Sequence, residues 1–508
     1  MISVFKIAVL VLYFLILLIL SLYGFHRYIL LYLFLKYKKR KISPKSYFRE
    51  EELPKVTVQL PIYNEVYVVG RLIDSVCKLD YPKEKLEIQV LDDSTDETKD
   101  IAMSLVEKYK SQGFNIKYFH RDTRKGFKAG ALQEGLLKAE GDFIAIFDAD
   151  FIPNPDFLKR TIHYFTDDSI ALVQARWGHI NRDFSFLTKI QSILLDGHFI
   201  IEHVARNRSG RFFNFNGTAG IWRKIAIFQA GGWDGSTLAE DLDLSYRTQL
   251  LGWKFIYLPD FSVPAELPVD INGFKNQQHR WAKGSVQAAL KLLPKIMKSK
   301  IPLKIKLESF FHLTGNFTFP LMIPLAILVF PTVIIRKGLG LYDMVIVDLP
   351  LFLFATGSFA LFYAFSQKEL YADWDKSIKY IPFVLSLGVG LSINNTIAVL
   401  EALKGKKSEF VRTPKYGIER KDQSWVEKKY KGHRSFVPYL ELAMTLYFVI
   451  VIIGAIIEEI YMTIPFLLIF FFGYVYLTYL SFFQHKKPFE IYNLEPHKAK
   501  AFISKKRI

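Results

Sequence analysis

Apolar stretches long enough to cross a bilayer stand on both sides of a polar middle, and they constrain this fold most. Ile7 to Phe25 comes first; Phe317 to Ile335, Met344 to Phe365, Phe436 to Ile457 and Tyr461 to Phe483 come after it. In hydrocarbon each backbone amide must be satisfied within its own segment, so each stretch predicts a helix. Tyr380 to Leu400 is also apolar, but Gly388, Gly390, Ser392, Asn394 and Asn395 interrupt it. It reads as an interfacial or re-entrant helix, which leaves five spans. With five, the basic segment Lys404 to Arg434 and the basic tail share one side with the polar middle. With six, Lys404 to Arg434 would lie outside, against the positive-inside rule. Ile7 to Phe25 lacks a small-residue cleavage site and is expected to stay uncleaved. The run Lys36 to Lys41 after it places residues 40 onward in the cytoplasm.

The expected organisation follows from these spans. Residues 1–40 form a transmembrane helix and basic juxtamembrane segment, and 41–300 a cytoplasmic domain. Residues 301–370 form a helix pair, 371–435 an interfacial helix and cytoplasmic loop segment, and 436–508 a second helix pair with a basic tail. The charge, 67 Lys+Arg against 49 Asp+Glu, is assigned to anionic membrane lipid and not to nucleic acid, because the basic runs abut apolar spans. The one cysteine, Cys77, falls in an apolar helical pattern (Leu72, Ile73, Val76, Leu79) and reads as core. It excludes an internal disulfide and any multi-cysteine metal site.

From Lys55 short strands alternate with helices. Val56 to Leu60, Glu87 to Leu91, Ile116 to Phe119 and Phe143 to Phe147 are strands, with helical patterns between them. Repeated βα units predict an α/β domain with a parallel, Rossmann-like sheet. No GxGxxG follows the first strand and there is no P-loop, so neither a dinucleotide nor a Walker site is expected. Ligands of such sheets gather beyond the carboxyl ends of the strands. The last of these strands runs into Asp148-Ala149-Asp150. Residues two apart on an extended chain face one side, so both carboxylates can serve one hard divalent cation, Mg²⁺ or Mn²⁺. A solvated pair of loop aspartates is the plainer reading. Farther on, Asp241 opens a helical run, as a helix cap or as a functional carboxylate. Gln277, Arg280 and Trp281 share one helical face, where Trp can stack on a sugar and Arg can contact a diphosphate. Surface packing would explain them equally well if they stood alone.

The ordered series PIYNE, LDDSTD, GFKAGAL, FDAD, FNFNGTAG, AED, QQHRW and FVRTPK resembles the membrane-embedded processive family 2 glycosyltransferases. Cellulose synthases and the cellulose-synthase-like mannan and glucan synthases belong there. The likeness runs from about Pro54 to Lys415. It implies a cytoplasmic A-type glycosyltransferase domain inserted between transmembrane helices, in an integral protein of the plasma membrane. Tyr63, Glu65 and Asp92 or Asp93 would contact base and ribose, with Lys128 near the nucleotide. Asp148 and Asp150 would hold Mg²⁺ or Mn²⁺ on the diphosphate. Asp241 would be the general base, beside Glu240. Gln277 and Arg280 would steady donor and acceptor, Trp281 would support the acceptor sugar, and Asn216, Gly217 and Thr218 would line its site. Thr413 would touch the nucleotide when its loop closes.

The resemblance thus implies transfer from a nucleotide-sugar donor, UDP-glucose or GDP-mannose, to a growing β-linked polysaccharide, with translocation across the membrane. Departures are few. The family's TED appears as Ala239-Glu240-Asp241, and Arg412 interrupts an otherwise apolar loop position. After Phe483 only a short basic tail remains, so no appended cyclic-dinucleotide domain is expected. A non-processive glycolipid synthase and a catalytically silent membrane scaffold are the alternatives. Sugar, oligomeric state and partner subunits are open.

Overall fold

The computed structural model describes residues 4–340, 350–406, 411–430 and 435–484. The start of the Met344 to Phe365 span, Phe410, parts of the basic segment before Arg434 and the tail after residue 484 lie outside them. At the centre is a seven-stranded sheet of β1 (Val56–Ile62), β2 (Leu86–Asp92), β3 (Asn115–His120), β4 (Phe143–Ile146), β5 (Ile170–His179), β6 (Gly220–Arg223) and β7 (Lys254–Ala265). Their order is β3-β2-β1-β4-β6-β5-β7. The first four pair in parallel, as the βα texture predicts. The sheet is nonetheless mixed, because β6 runs antiparallel to both β4 and β5. Four residues after a glycine loop carry too little pattern to announce a reversed strand.

Strand direction puts the carboxyl ends of β1 and β4 side by side, where the strand order reverses. The pair is in register to Gln59 and Ile146, and Phe147 N–H continues it to the Gln59 carbonyl at 3.2 Å. This is the crevice at which open α/β sheets bind ligands. Val56, Val58, Leu60 and Ile62 of β1 point into one apolar cluster with the helix Val69–Val76, and Cys77 is buried in it. Opposite them Thr57 donates to Glu87 at 2.6 Å and Gln59 to Gln89 at 3.0 Å, so buried polar groups between strands are paired.

Among the described residues five helices are long and apolar enough to cross a membrane: Val4–Tyr37, Leu303–Gly338, Pro350–Leu370, Val437–Ile457 and Tyr461–Phe483. Asp375–Gly390 and Ser392–Leu403 meet at a 40° bend and pass that test only as a pair, a broken span or a re-entrant loop. The first helix outruns its expected bounds in both directions. No proline stops it, and its last turns bury Leu30, Leu31, Leu33 and Phe34 against the sheet domain. That apolar cluster takes in Phe362, Ile381, Leu387, Leu477 and Leu480 of the later helices, together with Ile144 and Trp222 of the sheet. One core therefore joins the domain to its membrane helices.

Where two of these helices cross, glycines set the spacing. A Cβ on Gly473 would lie 2.2 Å from the Ser386 carbonyl, and one on Gly390 would lie 2.5 Å from the Gly473 carbonyl. Small residues at such crossings let backbones touch. Gly473→Leu is expected to destabilise the protein by roughly 1–3 kcal/mol, the usual cost of overpacking. Gly388→Leu, with open space around it, is expected to be nearly silent; unfolding in detergent with a tryptophan readout compares them.

Candidate active site

One cleft of about 1310 Å³ opens at the carboxyl ends of β1 and β4. Of the residues named from sequence, Tyr63, Glu65, Asp93, Lys128, Asp148, Asp150, Asn216, Gly217, Glu240, Asp241, Gln277, Arg280, Trp281 and Thr413 line it. Asp92 and Thr218 do not.

The loops after β1 and β2 are stitched to each other. Asn64 takes a left-handed φ of 54°, donating its N–H to Ser94 Oγ at 2.8 Å and accepting from Thr95 N–H at 2.8 Å. This turn presents Tyr63 and Glu65. Asp93 is held by the fork of Arg121, Nε to Oδ1 at 2.7 Å and Nη2 to Oδ2 at 2.6 Å. The guanidinium of Arg124 lies 3.3 Å from the Tyr63 ring centroid, a stacked pair suited to a planar base. Asp92 is fully buried behind this surface. Its oxygens accept from Ser94 N–H at 3.0 Å and Tyr118 O–H at 2.7 Å, which orders the loop.

Asp148 and Asp150 stand on a turn, not on an extended strand end. Both still face the cleft. Lys128 bonds to Asp148 and to the Gly217 carbonyl at 3.0 Å, while Lys415 Nζ meets Asp150 Oδ2 at 2.7 Å. Thr218, buried beneath, accepts the Asp148 N–H at 2.9 Å. Among the described residues no three His, Cys, Asp or Glu side chains form a closed metal cage. Two carboxylates facing a cleft nonetheless suit Mg²⁺ or Mn²⁺, which use one or two carboxylates plus substrate phosphates. The donor set fits such an ion, and in this structure Lys128 and Lys415 neutralise the two carboxylates it would use.

Asp241 sits in the first turn of the helix Glu240–Leu250, with its Oδ1 accepting Leu242 N–H at 2.8 Å. Burial, reinforced by the charge of Glu240, pushes its carboxyl up to about 7, although Lys128 and Arg280 pull the other way. Burial raises Glu240 too. The loop before this helix rests on the long helix Ile271–Lys298, which carries Gln277, Arg280 and Trp281. A Cβ on Gly284 would come within 2.8 Å of the Leu238 and Ala239 backbone, and Gln287 accepts Leu238 N–H at 2.9 Å. Base candidate and tryptophan platform are thus placed by one packing contact.

Asn216 is committed elsewhere. Its Oδ1 accepts from Gln174 at 2.7 Å and faces His203 Nε2 at 2.5 Å, while its Nδ2 meets His198 Nε2 at 3.1 Å. Sequence reasoning passed over Arg124, Lys415, Glu266, Trp177 and His179, which also line the cleft. Glu266 docks the segment after residue 410, accepting from Tyr416 N–H at 2.9 Å and Gly417 N–H at 2.8 Å. Arg412 pairs with Glu65 at 3.1 Å, and burial pushes Glu65 up to about 8 despite that partner. Thr413 is buried in the cleft wall, with its hydroxyl unpartnered among the described residues. The RTPK string was legible; its charge partners, hundreds of residues away, were not.

Residues 57–229 match the family described as Glycosyl transferase family 2. A glucomannan 4-beta-mannosyltransferase 1 of Oryza sativa subsp. japonica is 45% identical over 269 residues, covering 52% of this chain and 51% of that protein. Glucomannan 4-beta-mannosyltransferase 7 of Arabidopsis thaliana is 38% identical over 336 residues, 61% of this chain and 60% of that one. The chain spans about half the length of the first curated relatives it matches. A solved mannosyltransferase from Pyrobaculum calidifontis, in complex with GDP-Man and Mn²⁺, shares the fold. Its TM-score is 0.52 at 20% identity, covering 77% of this chain and 99% of that one. The chain therefore carries a family 2 glycosyltransferase domain of A-type fold set among apolar helices. It is similar in sequence to the glucomannan 4-beta-mannosyltransferases named above over about half of its length.

Gly217 has φ +83°, and a Cβ there would lie 3.0 Å from Asp241 Oδ2 and 3.2 Å from Lys128 Nζ. Gly217→Ala is expected to destabilise by about 1 kcal/mol or more and to disturb that pair. Gly210→Ala, at φ +69° in open space, carries the backbone strain alone. Thermal unfolding of both variants, read beside binding of GDP and UDP, separates strain from damage to the cleft.

Proposed function

We propose that this chain is a processive, inverting hexosyltransferase that extends a β-linked polysaccharide from a nucleotide-sugar and passes the product through its own membrane helices. GDP-mannose is the donor to try first and a β-1,4-linked mannan or glucomannan the product, given the names of the relatives; UDP-glucose is the second donor. One observation carries the reading. A half-buried carboxylate at a helix start, Asp241, shares a single cleft with the Asp148/Asp150 pair, Arg280 and Trp281.

Each residue then has work suited to its chemistry. The Tyr63–Arg124 stack and Asp93 receive base and ribose. Asp148 and Asp150 would hold Mg²⁺ or Mn²⁺, which when bound would neutralise charge on the diphosphate. Arg280 and Lys128 lie where they can offset the charge of the departing nucleotide. Trp281 offers a flat apolar face to the acceptor sugar, with Gln277 one turn away. Asp241 takes the proton of the acceptor hydroxyl as that oxygen attacks the anomeric carbon opposite the diphosphate. A base poised near neutrality suits that step. Because attack comes from the opposite face, an α-linked donor yields a β linkage.

The residues after 410 supply the lid. Lys415 on Asp150, Arg412 on Glu65 and the Thr413 hydroxyl all converge on the site from this one segment. By the positive-inside rule Lys36 to Lys41 favours a cytoplasmic cleft, and release of a polymer outside the cell would suit a plasma-membrane protein.

Purified protein in lipid, offered GDP-mannose, UDP-glucose and UDP-N-acetylglucosamine with Mg²⁺ or Mn²⁺, is expected to make ethanol-insoluble polymer from the first, cut by β-mannanase. Lipid-extractable product alone would favour a glycolipid synthase. A chelator is expected to abolish synthesis reversibly. Asp241→Asn is expected to lower kcat by about 10²–10⁴-fold, the usual weight of a general base, with donor binding retained. A base must be unprotonated to act, so kcat/KM is expected to fall about tenfold per pH unit below about 7. A profile flat between pH 5 and 8 would remove Asp241 from that role.

A further inference from the structure

His179 and Trp177 lie two apart on β5, so they share one side of the strand. Both line the cleft. The lining beside them includes Gly178, Leu195, Leu267 and Pro268, all uncharged, and the one acid of that stretch, Glu266, is committed to Tyr416 and Gly417 N–H. Such a wall suits a sugar ring better than a diphosphate.

Its polar atoms are arranged in an ordered way. His179 Nε2 lies 3.1 Å from Asp196 Oδ1. Asp196 is buried at the last turn of the helix Phe186–Asp196, where a π-helical turn, Gly197–Glu202, begins. Its other oxygen accepts from Gln367 Nε2 at 3.0 Å and Tyr371 O–H at 3.2 Å. Arg182 donates to Gln367 Oε1 at 3.0 Å and stacks on the Tyr371 ring at 3.7 Å. Asp196 is therefore held from two sides, and burial, which would raise its carboxyl, is outweighed by His179 and Gln367.

An ionised Asp196 can only accept, so His179 donates to it from Nε2, which leaves Nδ1 as the ring's remaining polar atom. Nδ1 has no partner among the described residues. Trp177 Nε1, a donor, is also buried without one. His179 Nδ1 is thus an unpaired polar atom on this cleft wall, suited to a hexose hydroxyl, which can either donate or accept.

We infer that His179, oriented by Asp196, is a specificity-determining residue that hydrogen-bonds a sugar hydroxyl through Nδ1. This rests on the glycosyl-transfer reading of the cleft. The ligand is a hexose of donor or acceptor, and the nucleotide is bound elsewhere in the cleft. Asp196 is a positioning residue, and through Gln367 and Tyr371 it ties this wall to the end of the Pro350–Leu370 helix.

The test uses the full chain in lipid nanodiscs and reads binding by calorimetry for GDP, GDP-mannose, manno-oligosaccharides and deoxy analogues lacking each hydroxyl in turn. His179→Ala is expected to weaken one sugar ligand about tenfold, the size of one hydrogen bond, and to leave GDP within twofold. His179→Asn, whose side-chain amide stands near the Nδ1 position and can hydrogen-bond a hydroxyl, is expected to recover part of the loss. One deoxy analogue is expected to weaken wild type but to add nothing in His179→Ala. Equal weakening of GDP and GDP-mannose, or the same penalty for every deoxy analogue in both proteins, would overturn the assignment. Because the readout is binding, a wild type that binds sugar but makes no polymer would refute processive synthesis alone. A wild type that binds no sugar ligand would refute both.

Discussion

Too many carboxylates share one low-dielectric cleft, and the rest of the structure is arranged around keeping them there. Glu65, Asp93, Asp148, Asp150, Glu240 and Asp241 all face the same space. Unpaired, buried charges of one sign would drive protons on or the site apart. Cations arrive from separate parts of the chain. Arg121 comes from the exit of β3, Lys128 from the following helix, Arg280 from the long helix, and Arg412 and Lys415 from the segment beyond the membrane helices. Arg121, Lys128, Arg412 and Lys415 each pair with one of these carboxylates, and Arg280 offsets the charge of Glu240, Asp148 and Asp241. Asp148 and Asp150 are neutralised by Lys128 and Lys415, so the segment after residue 410 is anchored directly on this carboxylate pair.

The membrane helices share this constraint, being more than an anchor. Lys275, near the start of the helix that bears Trp281, reaches Glu441 of the Val437–Ile457 helix at 2.6 Å. Lys283 of the same helix reaches Glu401 at 2.9 Å. Buried ion pairs contribute little net stability but lose much when one partner is removed. Their effect here is register: the Gln277–Trp281 turn is fastened to the bundle above it. With one apolar cluster running from Ile144 to Leu480, the site cannot move independently of the bundle.

Much was legible before any coordinates. The βα alternation located β1 to β4, and the apolar run before Asp148 marked a strand end at a ligand crevice. Cys77 was assigned to the core and lies there. Two places were opaque for stated reasons. Four-residue β6 is too short to reveal its direction, and its antiparallel pairing depends on neighbours far away in sequence. Asp92 and Asp93 are adjacent acids that sequence could not separate. The strand's alternation turns one inward to Tyr118 and the other outward to the cleft.

Sequence by itself determined the apolar spans, the strand-to-carboxylate junction and the identity of the acidic and aromatic groups, since these follow from local periodicity and side-chain chemistry. Tertiary structure alone decided which charges meet. It set Lys415 on Asp150 and Arg412 on Glu65, brought Gly284 against the Asp241 loop, and faced His179 with Asp196. Such pairings are invisible in a string because they are contacts between segments separated by long stretches of chain. They are settled by packing and by the need to balance buried charge, and neither leaves a local pattern to read.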